Sequence, residues 1–260
     1  MNSPARRLGS TAYEKPWGSP LTEPWCRNPD GLDIGEVWFD ETPSVPLLVK
    51  FLFTLENLSV QVHPNDEYAR EHANGSCGKT EMWHILRAEP GARVAIGLRE
   101  AVSEARLRES CGSEKIVDLL NWIPVQPGDT FFIEAGTIHA IGAGLALCEV
   151  QQPSDVTYRL YDWDYGRELH IENAIAVARR VPSTGHIRTG AMVECDYFRT
   201  YRVDVSGSIP CTPGALHVVL QGEGVIGGQP FIAGEAWVVH QPSTIESDAA
   251  AFLISSAPPR

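Results

Sequence analysis

His63 stands two residues after Gln61 in the stretch SVQVHP (59–64), and side chains two apart on a strand share one face. Val60 and Val62 then point the other way, into apolar packing. Two more polar residues interrupt strongly apolar segments: Glu81 opens EMWHIL, and His139 follows a glycine turn in EAGTIHAIG. Two imidazoles, a carboxylate and an amide oxygen make a four-donor set for Zn²⁺, which accepts nitrogen and oxygen ligands. The weak amide ligand and the lack of cysteine fit a catalytic ion with an exchangeable position better than a structural one. Single buried histidines are commonly satisfied by backbone groups. Four such residues on neighbouring apolar strands point instead to convergence.

A second set is cationic. Lys50 interrupts VPLLVKFLF, Lys79 lies two residues before Glu81, and Arg159 sits inside TYRLYDW. One such residue can carry its charge to water along its own stem. Three on the strands of the metal set predict a pocket for a phosphate ester. The formal net charge of −12 argues against nucleic acid or an anionic membrane surface as partner. Any anionic small substrate therefore needs such a local basic site.

The elements that must position these residues are mostly strands. Glycine (23) and proline (19) are frequent, and 43% of the 260 residues are hydrophobic, enough for one large domain or two small ones. The pattern predicts strands at PLLVKFLFTL, LSVQVHP, EMWHILRA (81–88), ARVAIGL (92–98), PGDTFFIEAG, LALCEVQQ and TYRLYDW. Asn65 reads as an N-cap before Asp66 and Glu67, opening a helix that closes at Gly75. A second helical stretch covers 102–120, broken at Cys111-Gly112 with Ser113 as a cap, and a third covers 171–180. Pro182, Ser183 and Gly185 mark a boundary. Beyond it, YFRTYRVDVS, ALHVVLQGEGVI, AGEAWVVHQ and AAAFLISS have the rhythm of a small antiparallel barrel, and a shared strand–turn pattern suggests a duplicated barrel. His217 and His240 there lack nearby carboxylates and read as structural. The six cysteines form no close pair and read as free thiols. With no signal-peptide core and no apolar run of membrane-spanning length, the expectation is a cytoplasmic protein with no membrane partner.

SVQVHPNDEYA, GKTEMWHIL, PGDTFFIEAGTIHAIG and EVQQPSDVTYRLYDWD, in this order, resemble the successive motifs of the type I phosphomannose isomerases, or mannose-6-phosphate isomerases. EKPWG and GEVWF (35–39) are similar to that family's N-terminal segments, so the resemblance covers about residues 13 to 180. It implies a mainly β fold: a cupin (jelly-roll) barrel with a helical insertion over 1–182, and a second, smaller, metal-free cupin-like barrel over 185–260. It implies one Zn²⁺ per chain held by Gln61, His63, Glu81 and His139. Arg159 matches the catalytic arginine, and Lys50, Ser59, Lys79 and Glu149 fall on motif positions lining the same pocket, which implies Lys79 and Glu149 beside Arg159 in catalysis and Lys50 and Ser59 beside Arg159 in binding the phosphosugar. Departures are the short DETPSVP after GEVWF, the divergent WGSPLTEPWCRNPDG, and the compact YDWDYGRELH that carries Arg167.

The implied reaction interconverts mannose 6-phosphate and fructose 6-phosphate by moving a proton between C1 and C2 through an enediol. It needs a base and a way to stabilise the developing oxyanion. Zinc and Arg159 suit the second task. Glu149, Lys79, His84 and a hydroxide on the zinc stay open for the first. Two other readings share these residues: a zinc cupin that binds a phosphosugar without turning it over, and a non-haem iron cupin using two histidines and a carboxylate. Gln61 would fill a position that oxygen chemistry needs open, and the iron reading leaves the basic cluster unexplained.

Overall fold

The computed structural model describes residues 3–41, 44–74, 77–183, 186–187 and 192–258. Gly75 and Gly185, expected to close a helix and mark a boundary, lie outside them. Three antiparallel sheets carry the fold. A five-stranded sheet runs Tyr158–Tyr161, Val60–Val62, His139–Ile141, Arg93–Leu98, Leu120–Pro124. A seven-stranded sheet runs His186–Ile187, Thr130–Ile133, Glu81–Ala88, Leu145–Gln151, Leu48–Thr54, Ile34–Phe39, Ser10–Ser19. The third sheet holds the C-terminal strands, led by Arg199–Pro210, Leu216–Ile226 and Thr244–Ser256.

The seven-stranded sheet that carries Glu81 lies in the middle. Alternate residues of its strands go to opposite partners, as the pleat requires. Val49, Phe51, Phe53, Cys148 and Val150 pack with Leu216, Val218 and Leu220 of the C-terminal sheet. Leu52, Trp83, Ile85 and Leu147 pack with Val94, Ile96 and Ile141 of the five-stranded sheet. Every residue of Leu48–Thr54 and of Leu145–Gln151 is buried. Burial on both faces is why these strands read as apolar runs broken only at Lys50 and Glu149 and at their C-terminal ends, rather than as alternating ones.

The outer face of the five-stranded sheet is covered by helices. Val60, Val62, Ala95 and Ala140 pack with Leu107, Ile116, Ala174 and Ile175. The Asp66–His72 helix is capped as expected, with Asn65 Oδ1 accepting from Tyr68 N at 2.9 Å. Ser103 caps Glu104–Ser110 in the same way at 3.2 Å. Residues 114–119 form a 3-10 turn, and Ser113 makes no capping bond there.

Several elements depart from the sequence pattern. Ser10–Ser19 is a strand despite Pro16 and Gly18, because it occupies a sheet edge, where a missing backbone donor is tolerated. Ala5–Arg7 pairs with Ala236–Val239 in the C-terminal sheet, a long-range contact that no local pattern signals. The last strand begins at Thr244, before the expected AAAFLISS. The result is a mainly β cupin architecture in which the middle sheet is shared packing for both halves. Phe51, fully buried between the middle and C-terminal sheets, provides a test: Phe51→Ala is expected to cost about 3–5 kcal/mol, seen as a lower denaturant midpoint at unchanged slope.

Candidate functional site

Gln61, His139 and Arg159 form one rung across the five-stranded sheet, Gln61 standing directly opposite His139 on one side and Arg159 on the other. Because Val60 and Val62 take the helical face, these side chains turn inward toward the middle sheet. Glu81, at the start of its strand, meets them from across the barrel. The ligand atoms of His63, Glu81 and His139 lie within 4.8 Å of one another, and all three residues are buried. His63 Nε2 is 3.5 Å from Glu81 Oε2, and His139 Nε2 is 3.5 Å from Glu81 Oε1.

Backbone carbonyls set the orientation of both imidazoles. His63 Nδ1 lies 3.0 Å from Val156 O, and His139 Nδ1 lies 2.8 Å from Thr137 O. A carbonyl only accepts, so each Nδ1 carries the hydrogen and each Nε2 presents a lone pair inward. That is the arrangement in which histidines ligate metals. Burial, together with nearby Lys79, keeps the His63 proton affinity well below the ordinary value, and burial lowers His139 to about 4. Both imidazoles are thus neutral, the form in which a histidine can ligate a metal. Glu81 Oε1 is buried with no hydrogen-bond partner, a costly condition for a carboxylate. The donor set and this orphaned oxygen together fit a divalent cation.

Gln61 stands beside this group with its amide nitrogen, not its oxygen, 3.2 Å from His139 Nε2. Its Oε1 accepts from Ser59 Oγ at 3.3 Å. A half-turn of the amide would exchange the two. Ser59 is fully buried behind Gln61.

The remaining charges occupy the same interior. Lys79 Nζ lies 3.2 Å from His63 Nε2, donates to Glu81, and stands 3.6 Å from Glu149 Oε1. Lys50 Nζ is 3.9 Å from the same Glu149 oxygen, while Trp83 Nε1 donates to Glu149 Oε2 at 3.0 Å. Burial alone would raise the Glu149 pKa, but Lys79 and Lys50 outweigh it and hold the carboxylate below its usual range. Burial would likewise lower Lys79, and Glu149 and Glu81 reverse that. Lys50, with a looser partner, is lowered by burial. Glu81 rises to about 7 through burial and the proximity of Glu149.

Lys50, Lys79, Glu149, Gln61 and Arg159 all line one cavity of about 310 Å³. Arg159 is half-buried, forms no ion pair among the described residues, and leaves its Nε unpartnered. Arg167 also lines the cavity, held by Asp162 through Nε at 2.8 Å. His84, kept open as a base, belongs elsewhere. Its strand neighbours Trp83 and Ile85 face the barrel interior, whereas His84 bonds Thr130 Oγ1 at 2.9 Å and faces a separate cleft beside Arg202 and Trp25. A larger cavity, about 510 Å³, lies between the helices at 66–72 and 171–177 and residues 195–197, and none of His63, Glu81 and His139 lines it.

Lys15, Glu36 and Trp38, within EKPWG and GEVWF, share the cavity wall with Asp155, although none of the four stood out as a site residue. One signal was present: the chain has four lysines, at 15, 50, 79 and 115, and all but Lys115 line this cavity.

No family model matches the chain. It is 38% identical over 237 residues to the mannose-6-phosphate isomerase ManA of Bacillus subtilis, covering 79% of this chain and 75% of that protein. It is 39% identical over 222 residues to the mannose-6-phosphate isomerase of Streptococcus mutans, covering 78% and 70%. The crystal structure of the mannose 6-phosphate isomerase from Bacillus subtilis superposes with a TM-score of 0.84 at 27% identity, over 98% of this chain and 99% of that one.

Removing one imidazole tests the metal group. His139→Ala is expected to weaken divalent-metal binding by more than the roughly 10–100-fold typical of losing an outer support, measured by equilibrium dialysis and elemental analysis. Stoichiometric metal in that variant contradicts the assignment.

Proposed function

The chain belongs to the type I mannose-6-phosphate isomerase family, and from that membership we propose that it interconverts mannose 6-phosphate and fructose 6-phosphate. The observation that carries this reading is that the His63–Glu81–His139 group adjoins, through Gln61 and Lys79, a cavity whose wall holds three lysines, two arginines and three carboxylates, Glu149 among them. A phosphosugar binder needs the cations alone; the carboxylate Glu149 is the group that turnover requires.

We assign the metal as Zn²⁺, one per chain, held by His63, Glu81 and His139 with Gln61 as the fourth residue. When bound, it supplies a Lewis acid for adjacent sugar oxygens as negative charge develops on them. Ser59 then supports the Gln61 amide instead of touching phosphate. Lys79 lies against Glu81 and His63, so a dication would repel its ammonium toward Glu149.

Proton movement falls to residues of the middle sheet. Glu149 presents a carboxylate to the cavity and is the acceptor suited to the carbon-bound proton. Lys79, whose ammonium faces that carboxylate at 3.6 Å, is the donor suited to returning a proton to oxygen. Arg159 is always charged and adds a fixed positive charge to the developing oxyanion, while Lys50 and Arg159 give the substrate's anionic oxygens their contacts. We read residues 1–182 as the catalytic unit and 185–260 as its packing partner, with the strand at 5–7 joined to the latter. All six cysteines are free, which supports a reducing, cytoplasmic setting. Among the described residues no helix is long and apolar enough to cross a membrane.

Zinc-loaded protein given mannose 6-phosphate is expected to form fructose 6-phosphate, followed by NMR, and to stop when a chelator is added. Stoichiometric zinc without turnover would instead make the protein a phosphosugar binder. Arg159→Ala is expected to retain zinc and lose roughly 100- to 1000-fold in kcat. Near-normal kcat in that variant would remove the role given to Arg159.

A further inference from the structure

Four consecutive strands of the middle sheet place Trp38, Lys50, Glu149 and Trp83 directly opposite one another in a single rung. Directly opposed side chains are the ones that interact across a sheet. Here the order is indole, ammonium, carboxylate, indole. Each indole meets its charged neighbour with the matching part of its ring. Trp83 turns its N–H edge to Glu149 Oε2 at 3.0 Å, and Trp38 turns its face to Lys50, with Nζ 3.9 Å from the ring centroid.

The Lys50 ammonium needs such a restraint. Its carboxylate partner is 3.9 Å away, beyond hydrogen-bond length, and Lys79 approaches the same oxygen more closely at 3.6 Å. Two ammonium groups thus compete for one acceptor and repel each other. Glu36 is the alternative partner on the neighbouring strand, but it is engaged on both oxygens. Trp38 Nε1 donates to Glu36 Oε2 at 2.5 Å, and Lys15 stands 3.7 Å from Glu36 Oε1. Trp38 therefore acts twice: its face attracts the Lys50 ammonium, and its N–H occupies the carboxylate toward which Lys50 would otherwise swing. Tyr13 packs edge-on against the Trp38 ring, centroids 5.5 Å apart, and limits its rotation.

We propose that Trp38 is a positioning residue for the isomerisation, fixing the Lys50 ammonium beside Glu149 while Trp83 fixes the carboxylate from the other side. The proposal rests on the isomerase reading given above for its kinetic consequence, and on geometry alone for the placement of Lys50. A desolvated cation over an indole supports an expected loss of about 10- to 30-fold in kcat/KM for Trp38→Leu, mostly in kcat. Trp38→Phe, which keeps an aromatic face, is expected to recover most of it. In a Lys50→Met background, Trp38→Leu is expected to add little, since the two side chains act as one unit. An undiminished Trp38→Leu effect in that background, or a Phe variant as poor as Leu, overturns the proposal, because a merely structural tryptophan gives additive losses.

A second measurement is independent of turnover. In protein labelled with ¹³C-lysine, the Lys50 ε-methylene signal, assigned by its disappearance in Lys50→Met, is expected to be shifted upfield by the indole ring. The shift is expected to vanish in Trp38→Leu. An ordinary Lys50 position in the unsubstituted protein overturns the placement even if the isomerase is active. A shifted signal in a protein that does not isomerise mannose 6-phosphate keeps the placement and shows that the functional reading alone has failed.

Discussion

Two ammonium groups and two carboxylates, on Lys50, Lys79, Glu81 and Glu149, are buried together between the middle sheet and the sheet facing it. No single buried charge of this kind is tolerable without compensation, and much of the surrounding architecture answers that constraint. The charges balance as two pairs, and each group is reached by at least one partner of opposite sign or by an indole. Both faces of the sheet must stay dry for these interactions to be strong, which the five-stranded sheet and the C-terminal barrel accomplish from opposite sides. The C-terminal sheet thereby supports the strands of the charged residues without contributing to the metal group. By packing on Val49, Phe51, Cys148 and Val150, it holds the strands whose intervening residues are Lys50 and Glu149.

Balanced charge also distinguishes this interior from the pocket's open side. Arg159 and Arg167 line the cavity on a chain of net charge −12, and Arg159 is left without a counter-ion among the described residues. A cation that the protein does not neutralise is available to a ligand, whereas the inner four charges already have partners of opposite sign before any ligand arrives. The cavity is in this sense divided, with structural compensation in its depth and a residual positive field around Arg159.

How much of this was legible in the sequence depended on whether the signal was local. Gln61 with His63, and Glu81 and His139 at strand starts, stood out because polar residues in apolar runs are costly and therefore informative. Asn65 was readable as a cap for the same local reason, its side chain serving a backbone N–H three residues on. The face of His84 was not readable, because strand pleat gives parity only once the inward side is known. Lys15, Glu36 and Trp38 escaped because their strands lie toward the sheet edge, where proline, glycine and partial exposure blur the alternation. Ser59 carried a residue type suited to phosphate, and its hydroxyl lies within hydrogen-bond reach of Gln61 Oε1, a contact that its own segment does not announce. The rung of opposed residues through Lys50 is a property of register between distant segments, which no single segment encodes.

The pairing of Ala5–Arg7 with Ala236–Val239 bears on biosynthesis. Ala5–Arg7 is an outer strand of the C-terminal sheet, and its partner strand at 236–239 is translated more than 220 residues after it. At about 5–20 residues per second, that wait is on the order of ten to fifty seconds. The strands of the five-stranded and middle sheets all lie before residue 188, so they are free to assemble while Ala5–Arg7 is still unpaired. Closing the C-terminal sheet is then a late event that ties Ala5–Arg7 to residues 236–239, and a disturbance at Ala5–Arg7 would be felt first in the sheet farthest from it in sequence.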